Sequence, residues 1–570
     1  MKKLTSIIFV FLLFGITIAC DQKTTTTLTD VTVSSSSQTT TTTTTITSEE
    51  TTTEETITVS TKSINFINYS DEFINAGLIN KIDFYYFSNK EAIPYVDILT
   101  LITMLKGIID STIVVQENAD SMTVRVSVTY TLTEEEKAEY GIEEDTITEY
   151  VLFDFQEGTV TAPNVDSFDA FSGETETDFS SGLTLVSYES EDLPEFFVDL
   201  DDYGFILNVV EQMGQKTQYL LPLSIANLFL TGSMFDLVNN GNYLYGVDTY
   251  QLGKIKKEYP NVIAENNDLT ADMKQESINF LALVFDHFYG LKAYKNIESF
   301  QTYLSTRFSA IRSFENSLYR FVDGLKDLHT SVITTGHTNP NYDHYATNPY
   351  PSYIYDYYYE YWGAGCTYTD PDIEDVEFYQ DMAYFRINSF TKNLKDDISK
   401  GMEQIRLAGS TTVIIDMTCN GGGVLAGVFH LLSYMTNDNI TFYTDTLGAF
   451  SQAEYDVEGS HALNAEFFIL TSAATYSAAN LYTALAKERG LAKTIGTRSG
   501  GGACSVKAIV LPNGAIMQMS SNMNLTYSTG ITVEEGVPSD YKIDWYRNYT
   551  NKVAFPTLET LYSIVQGLRE

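Results

Sequence analysis

The chain has 570 residues, 44% of them hydrophobic and 13% aromatic, with 40 Tyr and 33 Phe; this is enough apolar material for several packed cores and excludes disorder throughout. Its 34 Lys and Arg stand against 75 Asp and Glu, a formal charge of −41. So acidic a chain repels a phosphate backbone, which excludes nucleic acid as a partner.

Met1-Lys2-Lys3, an apolar run from Leu4 to Ile18 and then Ala19-Cys20 follow the charge, core and small-residue plan of a secretory signal. The run is short for a membrane span, which needs roughly 20 apolar residues. Thr17-Ile18-Ala19-Cys20 resembles a bacterial lipobox, with Thr17 atypical at its first position. Residues 1–20 therefore read as a lipoprotein signal peptide and Cys20 as the lipid-bearing residue. The expected location is the extracytoplasmic face of the cell membrane, reached through that lipid alone. A lipidated Cys20 leaves Cys366, Cys419 and Cys504, so at least one thiol is free or pairs between chains. The sequence has no CxxC and no Cys/His pair at zinc spacing, and no metal or other cofactor is expected.

Residues 21–62 are dominated by Thr, Ser and Glu, without Lys or Arg between Lys23 and Lys62. They cannot build a core and read as a disordered tether. From 63 to 265, strand-like runs (Ser121–Thr133, Ile147–Phe155, Gly182–Tyr188) alternate with apolar runs of helical character (Tyr95–Ile109, Tyr219–Leu230), which predicts an α+β accessory domain. A calcium loop at Asp199–Gly204 is rejected, because Tyr203 stands where an oxygen ligand is required and Val210 where the bidentate Glu belongs. Phe280, Val284, His287 and Phe288 recur at helical spacing, as do Phe300, Tyr303, Phe308 and Ile311, so a helical lead-in over 266–330 delivers the chain to His329. The Tyr-rich stretch 338–370 reads as a loop with an edge strand or as an aromatic lip for substrate.

The core, 380–545, alternates strand and helix. Strands are predicted at Met382–Ile387, Thr412–Met417, Ile440–Tyr443, Phe467–Thr471 and Ala492–Ile495. Helices are predicted through Leu394, Ile398, Met402 and Ile405, over Val424–Met435 and from about Ser477 to Arg489. Asn513-Gly514 marks a hairpin within Val506–Met519. Single helices between strands imply crossovers and a mostly parallel sheet. Ligands bind beyond the carboxyl ends of such strands, and two features sit there. Asp416–Gly423 ends a strand in three consecutive glycines, a turn able to offer N–H groups to an anion. Phe467–Asn480 is a buried strand, a short connection and a helix start carrying Ser477, whose hydroxyl alone would read as a cap.

With Ala383–Ile387, Val413–Asp416 and Asn420–Gly423, Thr475-Tyr476-Ser477-Ala478-Ala479, Ile495-Gly496-Thr497, and Glu535-Gly536-Val537 with Asp540 in this order, residues 270–545 resemble the peptidase domain of the tail-specific, or C-terminal processing, protease family. The resemblance implies an α/β fold, a crotonase/Clp-like ββα spiral, filling 266–570 behind the accessory domain. It makes Ser477 the nucleophile and puts the oxyanion between the N–H of Ala478 and a glycine of the triple, Gly422 first and Gly423 next. The family's Ser-Lys branch would place its lysine within Ser499–Cys504, where there is none, and Lys507 is the nearest. Leu325–Thr330 instead matches the tricorn-core-like branch, which makes His329 the base; His337 and His344 are alternatives on the next loop. An imidazole accepts a serine proton at neutral pH. By the same resemblance a carboxylate in Val533–Pro538, Glu535 or Glu534, orients it. Leu328 stands where that branch carries a hydroxyl relay.

Cys419 and Cys504 each neighbour a glycine loop, which opens a disulfide between them in an oxidising exterior. The interval from Thr330 to Asp381 is too short for the PDZ domain that many relatives insert. Two functions follow: a lipid-anchored serine endopeptidase acting on protein or peptide through an acyl-enzyme, or a surface binding protein that kept the fold without the chemistry.

Overall fold

The computed structural model describes, with short breaks, residues 57–334, 371–543 and 556–569, together with the strands Thr39–Ile46 and His337–Thr338. The signal peptide, Cys20, His344 and the Tyr-rich stretch after residue 338 lie outside the described residues.

The N-terminal part is built on two sheets. One runs through Asn208–Val210, Gln218–Pro222, Lys90–Asp97, Lys81–Phe87, Ile57–Asn68, Tyr243–Asp248 and Phe235–Asn239. The other is antiparallel and runs from Phe196–Asp199 through Thr159–Ala162, Thr146–Asp154 and Thr123–Thr131 to Val114–Asn118. Two expectations are corrected here. Within the Thr-rich tether, Thr39–Ile46 pairs antiparallel with the strand starting at Ile57, as its run of β-branched threonines favours. The two apolar runs read as helical begin as strands: Leu220, Leu221 and Pro222 pair with Asp97, Val96 and Tyr95. Helix starts only at Ile98, where Asp97 accepts the Thr100 N–H, and at Leu223, after Pro222 has ended the ladder.

The helices of the lead-in, Ala271–Phe288, Phe300–Ser305 and Phe314–Leu325, do not pack on the C-terminal sheet as a separate unit. Their apolar faces close one core with the N-terminal sheets and with Val506, Ile509, Leu511, Met517 and Met519. Phe288 is at its centre, against Phe168, Phe196 and Phe229.

The C-terminal part has a parallel sheet, Met382–Arg386, Thr412–Asp416, Glu466–Thr471 and Ala492–Gly496, with Tyr541–Lys542 added at one edge and Glu377–Tyr379 antiparallel at the other. Thr412–Asp416 is buried along its whole length, as its continuous apolar run requires. Leu394–Ala408, Leu425–Leu432 and Ala478–Glu488 are the intervening helices. A second sheet orders Ser331–Thr334, Ile516–Thr526, Ile440–Thr446, Ala449–Asp456 and Thr184–Ser190, with Cys504–Val510 also on Ile516–Thr526. Its edge strand, Thr184–Ser190, belongs to the N-terminal half. Its other edge, Ser331–Thr334, sets the turn carrying His329 beside Gln518.

Phe288→Ala should lower stability by about 3–5 kcal/mol and do so in one cooperative transition seen by both near-UV circular dichroism and fluorescence in urea; separate N- and C-terminal transitions would contradict a shared core.

Candidate active site

Three loops meet at Ser477. Residues 472–477 connect the strand Glu466–Thr471 to the helix Ala478–Glu488, and side chains pin this connection to the loop after Asp416. The Ser472 hydroxyl donates to the Thr418 carbonyl at 2.6 Å, the Thr475 hydroxyl to the Met417 carbonyl at 2.7 Å, and the Tyr476 N–H to the Asn420 carbonyl at 3.0 Å. The Ser477 N–H donates to the Gly501 carbonyl at 2.8 Å, from the third loop. Ser477 itself has φ 54° and ψ −124°, a region that an L residue occupies only when its surroundings hold it there. Its hydroxyl makes no cap bond, unlike the ordinary serine at a helix start.

The glycine triple lies against this serine. Asn420 is fully buried; its Nδ2 donates to the Ile387 carbonyl at 3.1 Å, and its Oδ1 accepts the Gly422 N–H at 2.8 Å. A Cβ on Gly422 would lie 2.7 Å from Ser477 Cβ and 2.9 Å from the Ala478 nitrogen, at φ 106°, so only glycine lets the loop approach. The expected ranking of the oxyanion donors is altered by Asn420, which already takes up the Gly422 N–H. Among the described residues, the N–H groups of Gly423 and Ala478 have no acceptor.

His329 follows the helix Phe314–Leu325 and precedes the strand Ser331–Thr334. It is 6% exposed, and its ring lies 4.8 Å from that of Tyr476, the neighbour of Ser477. Its Nδ1 is buried without a hydrogen-bond partner among the described residues, and no hydrogen bond joins the ring to Ser477. Burial pushes the imidazole below its usual range, opposed by the charge of Asp327.

Glu534 and Glu535 part company. The Oε2 of Glu534 accepts the Ala503 N–H at 2.7 Å; burial, and next the charge of Asp327, push the carboxyl up to about 7. Glu535 is exposed and accepts the Tyr294 hydroxyl. A Cβ on Gly501 would run into the Glu534 carbonyl. The loop Ser499–Cys504 is a close-packed backbone spacer between Ser477 and Glu534.

Lys507 is not at the serine. It is buried, its ammonium 5.1 Å over the Phe288 ring, and its charge acts on Asp166 and Asp236. His337 pairs with Ala264 through its backbone. The Cys419–Cys504 bridge is also corrected. Cys504 is a free, buried thiol facing Gly290 and Ser520. Cys419 lies beside the Arg386 guanidinium and is disulfide-bonded to a partner outside the described residues. Asn420 and Tyr476 enter the sequence reading only as members of matched motifs, with no role of their own.

A strained serine between a parallel strand and a helix, facing a glycine turn, defines the class the fold presents: an α/β core with its candidate site beyond the carboxyl ends of the parallel strands. Residues 381–543 match the model of peptidase family S41, so this part of the chain carries a domain of the tail-specific protease type. It is similar, at 26% identity over 140 residues, to a carboxyl-terminal-processing protease of Picosynechococcus sp., covering 24% of this chain and 33% of that protein. The chain thus spans about a third of the length of that curated relative. Among solved structures, one described as a candidate peptidase from Parabacteroides merdae aligns at 18% identity with a TM-score of 0.39, over 52% of this chain and 96% of that one. A lipoprotein from Streptococcus agalactiae aligns at 16% identity with a TM-score of 0.34, over 53% and 99%.

Gly422→Ala should cut the reaction of Ser477 with a fluorophosphonate by more than about 100-fold while the chain still unfolds cooperatively; a labelling rate within a few-fold of wild type would show that this glycine does not shape the site.

Proposed function

We propose that the protein is a lipid-anchored extracytoplasmic serine endopeptidase. The observation that carries the reading is the backbone of Ser477, held at φ 54° with its hydroxyl uncapped and the Ala478 N–H unused. In this reading Ser477 Oγ attacks a peptide carbonyl and His329 takes the proton. The oxyanion forms against the N–H groups of Ala478 and Gly423. Collapse of the tetrahedral intermediate expels the amine, which receives the proton from His329, and water then hydrolyses the acyl-enzyme by the reverse path. Glu534 is the orienting carboxylate, since it is the inward member of the pair. Cleavage near substrate C-termini is supported by the function named for the Picosynechococcus relative. Anchoring rests on Met1–Cys20 alone.

One observation favours the second reading, a binding protein without chemistry: the imidazole makes no hydrogen bond to Ser477 in the free chain. Catalytic contacts are often loose before substrate binds. Labelling separates the two. With the full chain in detergent, fluorophosphonate should add once, be lost in Ser477→Ala and be strongly slowed in His329→Ala. A folded wild type without an adduct would leave the binding reading. The pH dependence has a definite sign. His329 stays neutral to below its usual range, whereas Glu534, raised to about 7, gains its charge only as pH rises through that value. Labelling should therefore rise with pH to a plateau above about 7, and Glu534→Gln should lose the rise.

For the anchor, Cys20→Ser should move the protein from the membrane pellet of cells to the soluble or uncleaved precursor fraction. Unchanged fractionation, with no lipid mass on the wild type, would remove the lipoprotein assignment.

A further inference from the structure

Asp327 has no part in the scheme above, yet the turn that carries His329 is assembled on it. Its side chain is 1% exposed and its carboxylate accepts four hydrogen bonds. Oδ1 accepts the backbone N–H of His329 at 3.0 Å. Oδ2 accepts the hydroxyls of Thr330 at 2.6 Å, Ser520 at 2.9 Å and Tyr289 at 3.1 Å. The donors come from the turn itself, from the strand Ile516–Thr526 and from the end of the helix Ala271–Phe288, so one carboxylate ties three elements together. A buried network whose members are all satisfied is rigid.

The imidazole has no hydrogen bond of its own among the described residues. Its place is set through the backbone: the His329 N–H is held by Asp327 and its carbonyl by Gln518 Nε2 at 3.0 Å. Removing Asp327 would free the turn and leave buried hydroxyls and an N–H without their acceptor. The charge also reaches outward. It favours protonation of both His329 and Glu534. The other titratable groups gathered here are Tyr476 from the serine turn, Tyr289 and Lys295 from the segment after the helix, Glu535, and Cys504 from its strand.

We infer that Asp327 is the positioning residue of this site: it fixes the turn that presents His329 and supplies a buried negative charge against which the imidazolium can form. This rests on the serine-hydrolase reading. Asp327→Asn keeps an acceptor for the His329 N–H and removes the charge.

The test is the pH profile of fluorophosphonate labelling in the full chain, beside the 15N-imidazole titration of His329, assigned by its loss in His329→Gln. Asp327→Asn should slow labelling at least about tenfold and lower both midpoints by about half a pH unit or more. Ser520→Ala leaves the charge in place and should leave both midpoints where they are. Folded Asp327→Asn with wild-type rate and midpoints would overturn the inference. Should Asp327→Asn fail to fold, Thr330→Val decides, because it removes the closest donor and keeps the charge: labelling slowed about threefold or more at an unmoved midpoint supports the inference, and an unchanged rate overturns it. If wild type does not label at all, the hydrolase reading fails, and the His329 titration still reports whether Asp327 acts on the imidazole.

Discussion

Ser477 sits in a backbone conformation that costs a non-glycine residue roughly 1–3 kcal/mol, and much of the C-terminal core is arranged so that it has no alternative. Its N–H is fixed by Gly501, the N–H before it by Asn420, and the turn beneath by Ser472 and Thr475. Each of these bonds links two loops at the carboxyl ends of neighbouring parallel strands. The strain is therefore distributed over a framework that is buried and hydrogen-bonded in its own right, which is how the serine is kept in place without a bond to its hydroxyl.

The glycines are the counterpart of that arrangement. Gly422 and Gly501 are not hinges; they stand where three backbones come within contact distance, and a methyl on either would meet Ser477 or Glu534. The same closeness brings the half-buried Glu534 carboxyl near the buried Asp327 and His329 side chains. The Asp327 charge acts on both of the others, favouring the protonated form of each.

The parallel sheet was legible in the sequence because its strands are continuous apolar runs and its helices show helical spacing: Thr412–Asp416 and the face of Leu394, Ile398, Met402 and Ile405 lie where their patterns put them. Ser477, His329 and the glycine triple were legible only together, through motif order. Periodicity could not tell Glu534 from Glu535, because adjacent residues in a loop carry no facing rule; the choice is made by the Ala503 N–H on one side and Tyr294 on the other. Nor could it read Asp327, whose partners Ser520 and Tyr289 are remote in sequence. The strand ends at Tyr95–Val96 and Tyr219–Leu221 read as helix because a short, fully buried apolar run fits either period.

The core shared by the N-terminal sheets and the helices between Ala271 and Leu325 takes its last wall from Val506, Ile509, Leu511, Met517 and Met519. A chain emerging from its N-terminus has therefore made nearly all of its first half long before that half can be sealed. Until the hairpin around Asn513-Gly514 arrives, Phe288 and its aromatic neighbours face outward, and the segment has the long sequence separation that slows folding and exposes intermediates to aggregation. The loop that holds the Ser477 N–H leads straight into this hairpin, so the wall of the first core follows the serine turn directly in the chain. A chain cut short before Cys504 would keep the partners of the serine turn and lack the wall that seals the first core.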